Sequence, residues 1–321
     1  MKKNSFSFGY PKDVSNIDLK YDYFLNFNIK DKIRDLYDQL IRRTYYKNYY
    51  KKFFKKQKYK IDLVLPAKGF SDLARKKKLN SIKNINRSKI LNIGCGNGID
   101  IISWIKFKPS FIEAIDLMNY SQSWNKIEKY LKKKNIQTKV SFKQKNIINI
   151  NQKKKFDFIV SDAVFEHLSE FDKCIRICSK LLKKNGIIYA SYGPLWYNYG
   201  GDHFSGRDKF INGFNHIILD KKKYLNYFNK NFRSIKHEIK FHGSAGLFVA
   251  KNLFSKLRGQ DYINIFKKYN LKVKFLAVEF CPLGYELIKN KGIKSKIFLK
   301  NKNINIEDCY LKSHIIYLQK K

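Results

Sequence analysis

The residues of this sequence that could do chemistry fall at intervals. They are a glycine-rich turn, Gly94-Cys95-Gly96-Asn97-Gly98, a carboxylate at Asp116, an amide at Asn146, and two acid–histidine pairs, Glu166-His167 and Asp202-His203. Glycines let a backbone turn sharply and come close to a ligand, and the N–H groups of a helix start beyond them favour polar or anionic groups. A carboxylate at the end of the following strand can accept both hydroxyls of a ribose. A histidine with an ordinary pKa near ~6.5 can take the proton of an acceptor hydroxyl near neutrality. Plainer roles stand beside these. Asp116 could cap the next helix, Glu166 and His167 could hold a strand end, and the aromatic loop 193–204 could simply pack.

Those residues need elements to position them. Ile90 to Ile93 is an apolar run leading into the glycines, and Ile99, Ile101, Ile102 and Ile105 follow at once with helical spacing. The order is strand, tight turn, helix. Phe111 to Asp116 is a short apolar strand closing on the acid, Tyr120 to Leu131 is helical, and strands follow within 140–150, at 156–160 and at 186–190. Leu168 to Leu182 between them carries an apolar stripe through Phe171, Cys174, Ile175, Cys178 and Leu181. Strands alternating with helices in this way predict right-handed βαβ units and a parallel sheet. After Pro194 the regularity lapses into a loop rich in Gly, Asn, aromatic and His residues, and then into an ambiguous region to about residue 270. Val273–Phe280 and Ser313–Leu318 read as two closing strands.

A glycine turn alone does not separate nucleotide ligands. Dinucleotide enzymes use G-x-G-x-x-G, whose third glycine allows close packing of helix on strand. Here Ile99 stands in that place. Residues 90–100, Asp116, Asn146, 156–168 and 186–190 resemble, in order and spacing, the class I S-adenosylmethionine-dependent methyltransferases, and most of all their small-molecule group with a Glu-His-Leu segment after the fourth strand. The resemblance implies a Rossmann-like α/β fold, with a seven-stranded, mostly parallel sheet, its last strand antiparallel, and helices on both faces. It implies S-adenosylmethionine as cofactor. Gly94, Cys95 and Gly96 would lie along its methionine part, Asp116 would hold the ribose, and Asn146 with Ile147 would form the adenine turn, with Ser161 at the end of the fourth strand also on the cofactor side. Two positions depart from the family pattern, since Asn92 and Asn146 stand where many members carry an acid. His167 and His203 are the candidate catalytic bases on the rim, and His216 lies near in sequence. No spacing of His, Cys, Asp and Glu spells a metal site.

The domain organisation expected is a helical arm or cap over 1–84 and a methyltransferase domain over 85–321, with a substrate-side insertion at about 194–270. Within the arm, aromatic pairs recur between basic residues from Arg42 to Lys60, a helix that could stack bases or sit on an anionic surface but more simply packs on its own domain. A net charge of +41 fits either codon drift toward Lys, Asn, Ile, Tyr and Phe or an anionic partner. Five scattered cysteines without a C-x-x-C pair, and no signal-like apolar start, read as reduced thiols in a cytoplasmic protein without a membrane span. The function expected is methyl transfer to a small-molecule or sugar-containing acceptor, most simply at oxygen. The alternatives are an RNA or DNA methyltransferase using the basic aromatic helix, and a non-catalytic binding protein on the same fold. The oligomeric state is not readable.

Overall fold

A computed structural model describes residues 53–66, 72–150, 153–232 and 252–321, together with Ile33, Leu36 and Leu40. Those last three are helical and exposed, on the helix expected from Asp31, whereas residues 42–52 of the aromatic arm lie outside the described part. Phe53 and Phe54 are in 3₁₀ conformation and lead into the loop before the first strand.

The strands are β1 (Leu63–Pro66), β2 (Lys89–Ile93), β3 (Phe111–Asp116), β4 (Lys139–Gln144), β5 (Phe156–Asp162), β6 (Leu182–Tyr192), β7 (Leu271–Phe280) and β8 (Leu311–Lys320). They form one sheet in the order β1-β7-β8-β6-β5-β2-β3-β4. Pairing is parallel throughout except that β8 runs antiparallel to both β6 and β7. The mixed α/β sheet is as expected, with one correction: it has eight strands rather than seven. The added strand, β1, pairs in parallel with β7, Leu63 opposite Ala277. Its four residues end on Pro66, which cannot donate to a ladder, and an edge position tolerates that.

The apolar runs form strands because both faces of the sheet are covered. Side chains alternate between two cores, Leu91, Ile93 and Ile159 on one face and Ile90, Phe158 and Val160 on the other. The first face is closed by α4 (Phe171–Leu181), through Cys174, Ile175 and Cys178, and by α7 (Gly259–Lys268), through Tyr262, Ile263 and Phe266. The second is closed by α1 (Asp72–Ile82), α2 (Ile99–Ile105) and α3 (Ser121–Lys133), through Leu79, Ile102 and Trp124 among others. Between β6 and β7 come α5 (Asn215–Ile218) and α6 (Lys221–Phe232) before α7, and α8 (Pro282–Leu287) and α9 (Lys291–Lys300) lie between the last two strands. All five cysteines are buried free thiols.

Chain direction then decides where a ligand can sit. From β2 the chain moves outward to β3 and β4, and afterwards returns to β5 and β6 on the other side of β2. The loops leaving β2 and β5 therefore part, and they open a crevice at the carboxyl ends of those strands.

His314 in β8 is completely buried, its ring between the hydroxyls of Tyr192 (2.9 Å from Nδ1) and Tyr59 (3.2 Å from Nε2). One hydroxyl donates and the other accepts, so the neutral ring is satisfied. Burial pushes its pKa down to about 3. The unfolded chain takes up this proton below about 6.5 and the folded chain does not, so stability falls as pH drops. Urea unfolding at pH 7 and pH 5 should show His314 contributing a loss of about 2 kcal/mol. His314→Asn should remove that part of the pH dependence, and an unchanged pH dependence in the variant would contradict the assignment.

Candidate functional site

The turn after β2 has the conformation its glycines predict. Gly94, Gly96 and Gly98 take φ of +73°, +52° and +87°, where side chains are rare. Hydrogen bonds then hold the turn against the end of β3. Gly94 and Cys95 N–H groups donate to the Ile115 carbonyl at 2.8 and 3.1 Å, and the Trp124 indole donates to the Gly96 carbonyl at 2.8 Å. The Asp116 carboxylate accepts the Gly96 N–H on Oδ2 and the Met118 N–H on Oδ1, both at 2.8 Å. Burial raises its pKa, with those N–H donors opposing. Each carboxylate oxygen keeps accepting capacity after one such bond, so ligand hydroxyls can still be held.

A cavity of about 250 Å³ opens beside this turn. Gly94, Asp116, Met118 and Asn146 line one half, Val164 and His167 the other. Of the residues expected on the cofactor side, Gly94, Asp116, Asn146 and Ile147 reach the wall. Cys95 is buried in the core behind the turn, and Gly96 is occupied with Asp116 and Trp124. The Asn146 amide oxygen caps its own turn by accepting the Ile148 N–H at 3.2 Å. Ser161 donates to the Ile93 carbonyl at 3.1 Å and is buried between β5 and β2, away from the cavity lining. Met118 and Leu253 line the wall and carried no sequence signal, the first because it follows the acid in a loop, the second because it lies in the irregular insertion.

The rim histidines meet. His167 follows β5 and His203 follows β6, and their rings lie nearly parallel, 5.0 Å apart. The His167 Nδ1–H donates to the Leu253 carbonyl at 2.9 Å, and burial takes its pKa down to about 4. His203 sits in the left-handed region at φ +69°, a strained position for a side chain with a Cβ. Glu166, buried behind them, accepts the Gly193 N–H at 2.9 Å, and burial pushes it up to about 8. Asp202 does not face the cavity. It is fully buried and ties the loop together, accepting from Phe204 N–H, Ser205 and the Tyr224 hydroxyl. His216 stands beside it, with Nε2 at 2.7 Å from the Trp196 carbonyl, and serves the same loop.

Comparison with known proteins adds the following. Residues 86–233 match the family model of a methyltransferase domain. The ubiquinone biosynthesis O-methyltransferase of Pelagibacter ubique is 34% identical over 112 residues, 35% of this chain and 45% of that protein. An uncharacterized protein of Rickettsia prowazekii is 31% identical over 119 residues, again 35% of this chain and 45% of its own length. The chain thus spans less than half the length of these curated relatives. Among solved structures, an S-adenosylmethionine-dependent methyltransferase from Mesorhizobium loti is 12% identical, covering 76% of this chain and 96% of that one, with a TM-score of 0.42.

A methyl at Gly94 would fall 2.1 Å from Val164 Cγ2 and would also demand a left-handed alanine. Gly94→Ala should therefore lower the unfolding free energy by about 1–3 kcal/mol, read by urea denaturation. A variant as stable as the parent would show that the turn does not need glycine there.

Proposed function

With residues 86–233 matching the family model of a methyltransferase domain, we propose that the chain transfers a methyl group from S-adenosylmethionine to a small-molecule or sugar-containing acceptor, at oxygen. One observation carries this most directly. A single cavity runs from the Gly94 turn, Asp116 and the Asn146 turn to the histidine rim at His167. The residues present suit the cofactor. Asp116 keeps lone pairs for the ribose hydroxyls, Met118 and Ile147 give apolar contact for a base, and Gly94 presents bare backbone where a side chain would intrude.

When bound, the cofactor supplies a methyl group on a sulfonium sulfur, which is already activated. The chain's own residues bind and align. Asp116 and the glycine turn fix the donor half, and Val164 and His167 border the place an acceptor must enter for in-line attack. With its pKa near 4, His167 stays neutral at pH 7 and is a weak base toward an acceptor hydroxyl. The name of the Pelagibacter relative supports oxygen as the methylated atom. Against a nucleic-acid acceptor, a cleft lined by Lys58, Lys60, Lys267, Lys272, Lys274 and Lys321 sits at the amino end of β7, the opposite end of the sheet from the cavity. Positive charge gathered there does not steer an acceptor to the rim.

Asp116→Ala should weaken S-adenosylmethionine binding at least tenfold by titration calorimetry, and an unchanged affinity would sink the site. Incubating the protein with methyl-labelled cofactor and a cell extract should place the label in small-molecule ethers. Label confined to the nucleic-acid fraction would favour the other acceptor class.

A further inference from the structure

The cluster at the acceptor end contains donors that hydroxyl orientation alone does not use. Glu166 and His167 come from the 3₁₀ turn after β5, Phe165–His167, and His203 from the loop after β6. One carboxylate oxygen and one nitrogen from each ring all lie within 4.8 Å of one another. We infer that Glu166, His167 and His203 form a binding site for a divalent transition-metal ion that holds the acceptor oxygen.

Three features argue for an ion. Glu166 is buried, and while Oε1 accepts the Gly193 N–H, Oε2 is also buried and takes no hydrogen bond. Such an oxygen has lost its water without replacement, a costly arrangement that a cation at this position corrects. His167 is held as a metal-binding imidazole usually is. Its Nδ1 faces the Leu253 carbonyl, which can only accept, so Nδ1 carries the proton and Nε2 is the nitrogen of the ligating kind. The donor set is two imidazoles and one carboxylate, which suits Zn²⁺, Mn²⁺, Fe²⁺ or Co²⁺ and not the all-oxygen preference of Mg²⁺ or Ca²⁺. Tetrahedral bonds of about 2.1 Å require donors roughly 3.4 Å apart, so the side chains close by small rotations when the ion enters.

The other group of acids in the fold makes a useful contrast. Asp72, Asp100 and Asp162 also lie close together, but Lys76 already bridges Asp72 and Asp100, and Arg75 bonds Asp162. Cations of the chain fill that cluster. No such cation is paired with Glu166 among the described residues.

Among the described residues the donors number three, fewer than a four-coordinate ion takes, and since His167 lines the cavity an acceptor oxygen there can complete the set. The substrate class this selects is an oxygen acceptor able to ligate a metal, such as a phenol or a diol. Coordination lowers the hydroxyl pKa and its proton leaves to solvent. An oxygen electron pair then forms the bond to the methyl carbon, and the sulfur keeps the pair of the bond that breaks. This completion of the set rests on the methyl-transfer reading, whereas the binding of the ion does not.

The test is made on the full chain dialysed against a chelator. Titration with Co²⁺, followed by its visible absorption, and with Zn²⁺ by calorimetry, should show one equivalent bound. His203→Ala and Glu166→Gln should each weaken binding at least about 100-fold, more than the loss of a supporting residue does. His203→Ala should keep its affinity for S-adenosylmethionine, showing an intact fold. Absence of saturable binding at millimolar metal would overturn the site, as would equal binding by parent and variants. Cofactor binding without metal binding overturns this inference alone. Metal binding without cofactor binding supports the site and removes the cofactor reading instead.

Discussion

The structure hangs on a conformational constraint in the turn after β2. Three residues there must take φ of +73°, +52° and +87° within five positions, and only glycine does so without strain. That geometry lets two consecutive N–H groups, of Gly94 and Cys95, reach the same Ile115 carbonyl, and aims Gly96 N–H at Asp116. The end of β3 is thereby tied to the end of β2. Gly98 is confined too, since a methyl there would meet Phe142 at 2.7 Å and Ile127 at 2.9 Å. One turn therefore fixes the start of α2, the aim of the carboxylate and the packing of α3. The cavity follows from these three placements.

A buried charge pair fastens the next layer. Lys76 of α1 is almost wholly buried and bonds Asp100 of α2, Ser103 and Asp72. Asp100 also accepts from the Trp104 indole at 2.8 Å, and those partners outweigh burial and hold its pKa low. Asn92 belongs to this arrangement. Its amide lies 3.5 Å from Asp100, so an acid at 92 would put a second carboxylate beside one whose lysine is already shared with Asp72. A lone buried charge of that kind is expensive. The amide at 92, a departure from the family pattern, is thus consistent with this chain's own charge balance and needs no loss of activity to explain it.

The parts legible in the sequence were those with local causes. The glycine spacing, the acid closing β3 and the apolar runs alternating with amphipathic helices all express constraints among near neighbours, and the structure places them as read. Strand β1 was not legible, because four residues ending in proline carry no period and its pairing with β7 joins residues more than 200 apart. Nor was α7, whose Tyr262, Ile263 and Phe266 form too short a stripe in an irregular region. Ser161 shows the limit for single side chains. Its place at the strand end was evident, while its bond to Ile93 across the sheet depends on the rotamer that packing selects. The meeting of His167 and His203 comes from two separate crossovers returning to neighbouring strands, β5 and β6.

The two halves of the cavity differ in the source of their order. The half at Asp116 is backbone and short-range bonding at the ends of β2 and β3, so its shape is set wherever those strands form. The half with the histidines borrows from distant chain. Leu253 orients His167, Gly193 holds Glu166, and Asp202 with Ser205, Tyr224 and His216 stiffens the loop that presents His203. Change between β6 and β7 can thus reshape the histidine half while leaving the half at Asp116 intact. Burial pushes Asp116, Glu166 and His167 alike toward their neutral forms, opposed at Asp116 by the N–H groups of Gly96 and Met118 and at Glu166 by that of Gly193. The surroundings of Glu166 and His167 are therefore set by Gly193, Leu253 and the loop that presents His203, segments far from the turn after β2.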